Sequence, residues 1–72
     1  MTIGEKLRNA REDKDMTQWD VAEYLKTSQT VYSRYERNER SIPVEYLIEL
    51  CNLYKISADY ILGLPKGLYY RE

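Results

Sequence analysis

A chain of 72 residues with one cysteine, no histidine and 11 basic against 12 acidic side chains has room for a single small core and little reactive chemistry. A domain of this size buries only about 60% of its extended surface on folding, so its stability margin is small. An intramolecular disulfide framework, a His/Cys zinc site and His-based acid–base catalysis are excluded, and no apolar run reaches membrane-spanning length. No enzymatic activity, metal or cofactor is expected. The free thiol and the missing basic-then-apolar leader point to the cytoplasm.

The first predicted helix opens at Thr2, which with Glu5 has the spacing of a capping box, and Ile3, Leu7 and Ala10 form its apolar stripe as far as about Lys14. Asp13-Lys14-Asp15 ends it in solvent. Thr17 caps a second helix, with Asp20 as a shortened capping-box acid and Val21, Ala22 and Leu25 on one face. Lys26 and Thr27 break the pattern, and Ser28 caps a third helix in which Tyr32 and Tyr35, at i and i+3, face inward. Its other side carries Gln29, Thr30, Ser33, Arg34 and Arg37, a set of donors and acceptors suited to reading a groove. The turn between these two helices is too short to let them separate.

Asn38 to Ser41 reads as a polar loop, and Pro43 suits the first position of a fourth helix, where a missing amide costs nothing. Val44, Leu47, Ile48, Cys51 and Tyr54 are the expected core stripe of that helix, with Cys51 acting as a small buried hydrophobe. Ser57 caps a short fifth helix with Asp59 near its N-terminus, and Gly63 followed by Pro65 stops it. Residues 1–64 are expected to form one all-α domain and residues 65–72 a C-terminal tail carrying Leu68, Tyr69 and Tyr70. Eight tyrosines without a phenylalanine require several rings at the edge of the core with wetted hydroxyls.

The segment from Thr17 to Arg37 resembles the helix-turn-helix of the phage repressor family, the Cro/C1-type or XRE-type transcriptional regulators. Arg8, Ala10 and Arg11 with Met16, Thr17 and Gln18 are similar to that family's first helix and its entry into the second. Ser33-Arg34-Tyr35-Glu36 resembles its Ser-Arg-aromatic-Glu signature, and Ile42-Pro43, Leu47, Leu50, Tyr54 and the run from Ser57 to Gly63 are similar to its last two helices. The likeness covers Ile3 to Leu64. Two positions depart from the pattern: Lys26 stands where the turn usually has glycine, and Arg37-Asn38 replaces a common Asn-Gly pair. Lysine adopts the left-handed conformation at modest cost, and asparagine tolerates it better than most residues.

The resemblance implies a five-helix, lambda-repressor-like domain that docks residues 28–37 in the major groove of a two-fold-symmetric operator in double-stranded DNA. It implies a repressor-like regulator that acts as a homodimer, at least on DNA. Gln29, in the first turn of the reading helix, matches adenine N6 and N7, against the alternative of a solvated surface glutamine. Thr30 and Val31 offer methyls to thymine, although Thr30 can instead donate to a phosphate and Val31 can be plain helix filler. Ser33 shares this face. Arg34 can fork onto guanine or clamp a phosphate, and the sequence leaves both open. Gln18, at the positive end of helix two, takes the family's backbone-anchoring place, with Ser28, Arg37, Asn38 and Arg40 completing a phosphate-positioning rim. Arg40 also reads as an ordinary loop charge. Trp19, on the outward side of helix two, can pack along the DNA backbone, cover helix one or meet a protein. The resemblance places Arg11 opposite Glu36 as a buried structural pair.

The formal charge of −1 is unlike the usual basic footprint of a DNA-binding domain. What matters for phosphate contact is the charge on one face, and residues 26–42 hold Lys26, Arg34, Arg37 and Arg40 against Glu36 and Glu39. The rival reading is a protein-interaction module, antitoxin-like or anti-repressor in kind, that presents Trp19 and the tail tyrosines to a protein partner. The acidic composition favours that reading slightly.

Overall fold

The computed structural model describes residues 1–64, which form five α-helices: α1 (Ile3–Asp13), α2 (Gln18–Leu25), α3 (Gln29–Glu36), α4 (Val44–Tyr54) and α5 (Ala58–Leu62). The expected tail, with Leu68, Tyr69 and Tyr70, lies outside the described residues. Each of the first three helices is started by a hydroxyl. Thr2 Oγ1 accepts from Glu5 N at 3.1 Å, and Glu5 Oε1 accepts from Thr2 N at 2.9 Å. Thr17 and Asp20 make the same reciprocal pair, at 3.1 and 2.9 Å, so the shorter acid still reaches the cap amide. Ser28 Oγ accepts from Val31 N at 3.1 Å.

The turn joining α2 to α3 is closed by Lys26, whose φ of 60° is left-handed, while Thr27 N donates to Ala22 O at 2.9 Å. Lysine therefore fills the place of the usual glycine. Leu7, Val21, Tyr32, Leu50 and Ile61 are fully buried and draw all five helices into one core. Each such side chain contributes about 1.5–3 kcal/mol of transfer free energy. The Tyr32 and Tyr54 hydroxyls satisfy each other at 2.9 Å inside this core. Burial holds both phenols un-ionised, with Tyr54 pushed up to about 12 and Tyr32 well above its ordinary value.

Three expectations are corrected. On α1 the buried line is Gly4, Leu7 and Ala10, with Ile3 exposed, because α1 approaches the end of α3 so closely that only glycine fits. On α4, Leu47, Leu50 and Tyr54 are buried and Cys51 half-buried, whereas Val44 and Ile48 are 61% and 56% exposed. The apolar arc of α4 is wider than the bundle it rests on, and the contact falls on the Leu50 side. Pro43 is the N-cap of α4 rather than its first helical residue, with an extended ψ of 146°.

Candidate nucleic-acid interface

Helix α3 is anchored by its inner face. Tyr32 and Tyr35 are buried, with their rings edge-to-face at 6.3 Å between centroids, and Tyr35 meets Tyr46 in the same way at 6.2 Å. Thr30, Arg34 and Arg37 are consequently exposed, with Gln29 and Ser33 half-buried beside them. Val31 borders this group: it is half-buried, as Gln29 and Ser33 are, with part of its side chain against the hydrophobic core, and it stands one turn before Arg34.

A buried ionic cluster braces α3 from behind. Arg11 Nε and Nη2 donate to the two carboxylate oxygens of Glu36 at 2.7 and 3.1 Å, and Arg11 Nη1 donates to Met16 O at 2.8 Å. The side chains are 12% and 2% exposed. Burial pushes the Glu36 carboxyl up, but the hydrogen bonds from Arg11 and Gln18 outweigh it and hold the group below the ordinary glutamate range. The same hydrogen bonding raises the Arg11 guanidinium. With Glu36 turned inward and neutralised, the outward charges of residues 26–42 are Lys26, Arg34, Arg37 and Arg40 against Glu39 alone.

Gln18 and Gln29 sit between this cluster and the exposed face. Gln18 Nε2 donates to Glu36 Oε1 at 3.0 Å, and Gln29 Nε2 donates to Gln18 Oε1 at 2.7 Å. Side chains from α1, α2 and α3 therefore form one continuous chain of hydrogen bonds. Spacing along the chain does not reveal the Gln18–Gln29 link, because it crosses the turn and depends on the angle between two helices.

The expected phosphate rim is only partly assembled. Ser28 and Arg40 are exposed, and Arg37 makes a surface pair with Glu39 at 3.1 Å, of the kind worth about 0–1 kcal/mol. Asn38 also has a structural part. Its Oδ1 accepts from Gly4 N at 2.9 Å and its Nδ2 donates to Thr2 Oγ1 at 2.9 Å, tying the chain after α3 to the start of α1. Its φ of 60° puts it in the left-handed region, and the exposed side chain keeps one amide hydrogen beyond these two contacts. Trp19 is 67% exposed on the first turn of α2. Among the described residues no group of three or more acidic, Cys or His side chains could hold a metal, and no helix is long and apolar enough to cross a membrane.

Two capped helices joined by a left-handed turn, the second buried on its tyrosine side and open on its polar side, define a helix-turn-helix. The Helix-turn-helix family model matches residues 7–61, and the chain belongs to that family, the Cro/C1-type regulators. It is 40% identical over 63 residues to the HTH-type transcriptional regulator ImmR of Bacillus subtilis (strain 168), covering 88% of this chain and 50% of ImmR. It is 35% identical over 60 residues to the uncharacterized HTH-type transcriptional regulator YobD of the same organism, covering 83% of this chain and 54% of YobD. The chain thus spans about half the length of these relatives. Among solved structures, the P22 c2 repressor protein in complex with synthetic operator 9T matches with a TM-score of 0.78 and 26% identity, covering 85% of this chain and 92% of that one.

Proposed function

We propose that this chain is a sequence-specific double-stranded DNA-binding domain of a transcriptional regulator, repressor-like in action, that reads the major groove with α3. The observation that carries this reading is the division of α3 itself, with Tyr32 and Tyr35 inside and Gln29, Thr30, Ser33 and Arg34 on the accessible side. Arg34 and Gln29 are the base readers, and Thr30 and Ser33 meet either base edges or phosphates. Gln18, Ser28, Arg37 and Arg40 position the backbone. Gln18 does so from the first turn of α2, where free amides and the positive helix end favour a phosphate. Asn38 joins that rim with its remaining amide hydrogen while also fixing the loop, and Val31 offers its methyls to thymine from beside Arg34.

A cytoplasmic homodimer is the working form in this reading, with half-sites roughly 34 Å apart. Exposed Val44 and Ile48 on α4 and Tyr60 and Leu62 on α5 supply apolar surface for pairing. No catalytic role is assigned. The rival protein-interaction reading is less favoured, since the similar proteins are named as transcriptional regulators and the structural match is a repressor on operator DNA.

The test is a gel-shift titration with random duplex at two salt concentrations, followed by selection from a random-site library. Binding that falls steeply with salt, and then a selected operator, supports the proposal. Absence of binding even at low salt overturns it in favour of a protein partner. Arg34→Ala should cost about 1–3 kcal/mol at one base pair if Arg34 reads guanine, and should weaken all sequences alike if it holds a phosphate.

A further inference from the structure

We propose that Leu68, Tyr69 and Tyr70, which follow α5 in the sequence, fold back into an apolar groove beside the end of that helix and close it. The docking stands apart from the DNA-reading assignment, but the rim of the groove is formed by the loop to which that assignment gives phosphate contacts, so filling the groove also steadies Asn38 and Arg40.

The groove has a volume of about 470 Å³ and lies where α1, the loop from Asn38 to Ile42, α4 and the end of α5 meet. Its floor belongs to the core, since Leu7, Tyr35 and Leu47 are all buried. Ile3, Val44 and Leu62 form walls that stay exposed, and Asn38, Arg40 and Ser41 supply a polar rim. Protein interiors leave few voids larger than a water molecule, whose share of liquid volume is about 30 Å³. An apolar hollow of this size is therefore a seat for other side chains rather than a packing fault.

Three observations choose the chain's own next segment as the occupant. The first is where the chain leaves α5. Leu62 is part of the groove wall, Gly63 is left-handed at φ 70°, and Gly63 N and Leu64 N donate back to Tyr60 O and Asp59 O at 3.2 and 3.0 Å. That pair of bonds turns the chain off the helix axis, and Pro65 prevents the helix from resuming. The second is that this exit is pinned to α1. Lys6 Nζ donates to Tyr60 O at 2.8 Å and stands 5.0 Å from the centre of the Tyr60 ring, which holds the start of the tail against the helix that supplies Ile3 and Leu7. The third is composition and reach. Leu68, Tyr69 and Tyr70 stand together between Gly67 and Arg71. An extended chain covers about 3.3–3.6 Å per residue, so Leu68 can lie as far as roughly 13 Å from Leu64 and Tyr70 as far as roughly 20 Å. The groove begins at Leu62, well inside that reach.

Tethering decides against an outside partner, because a short linker gives the tail an effective concentration of about millimolar, far above that of a free protein of equal affinity. Tyrosine suits the seat: its ring covers the apolar floor while its hydroxyl meets the polar rim.

The test is NMR on the whole 72-residue chain without DNA. Nuclear Overhauser contacts are expected between the methyls of Ile3, Val44 or Leu62 and the Leu68 methyls or the Tyr69 and Tyr70 rings, and they should survive dilution. Absence of these contacts would overturn the inference. So would contacts between labelled and unlabelled chains in a mixed sample, which would give the groove to a second copy.

Urea unfolding supplies a second readout. A tail docked about nine-tenths of the time raises the folding constant about tenfold, the factor 1 + [L]/Kd for [L]/Kd of about 9. The combined substitution Leu68→Ser, Tyr69→Ser and Tyr70→Ser should remove that factor. In Val44→Asp a carboxylate in the wall opposes burial yet suits the first turn of α4, so the helix still forms, and there the same three substitutions should change almost nothing. An equal loss in both backgrounds would show that the tail does not use the groove, and no loss in either that it is not docked. All these readouts are taken without DNA, so their failure leaves the DNA-reading assignment in place.

Discussion

Replacing Arg11 by methionine isolates the contribution of the ion pair behind α3. Glu36 is 2% exposed at its side chain, and the substitution removes two of its charge-assisted hydrogen bonds while leaving that from Gln18 Nε2. Stranding a buried charge costs about 3–5 kcal/mol. The remaining Gln18 bond and the partial exposure of Arg11, which lets water approach, place the expected loss at the lower end, about 3 kcal/mol. A chain of this length has roughly 4–11 kcal/mol of stability in total, so the loss would be a large share of it. On heating it corresponds to a fall of Tm on the order of 15 °C.

Urea unfolding followed by helical circular dichroism should show the midpoint moving with an unchanged slope. The double variant Arg11→Met/Glu36→Leu should be more stable than Arg11→Met, because the stranded charge is gone. A loss below about 1 kcal/mol for Arg11→Met would mean that the pair behaves as an exposed surface bridge, and the bracing argument would fail.

Gly4→Ala should destabilise the domain by about 1–3 kcal/mol despite alanine's better helix propensity, since its Cβ would stand 2.7 Å from Glu36 C and 2.8 Å from Tyr35 O, both backbone atoms. Unchanged or raised stability in urea would show that α1 can back away from α3. Lys26→Gly should stabilise by about 1 kcal/mol, because the residue is left-handed at φ 60°; a lower Tm would point to an unrecognised contact of the lysine stem. Acid unfolding probes Glu36, whose folded pKa lies below the ordinary value of 4.5. Its stabilisation is complete above that value and lost as pH falls through the depressed folded one. In Arg11→Met the carboxyl loses the partner that depresses it, so a smaller loss on acidification is expected, and identical acid branches would contradict this.

The caps, the breaks and the inward tyrosines are legible along the chain, because these are local matters of spacing and side-chain chemistry. Thr2, Thr17, Ser28 and Ser57 start helices α1, α2, α3 and α5, and Tyr32 and Tyr35 face the core as their i, i+3 spacing implies. Tertiary packing decided what periodicity leaves degenerate. The apolar residues of α4 span more of its circumference than the bundle covers, so only the angle of packing exposes Val44 and Ile48 and buries Leu50. The burial of Gly4, the use of Asn38 as a tie to α1 and the Gln18–Gln29 link depend in the same way on distances between helices, which no spacing along a chain encodes.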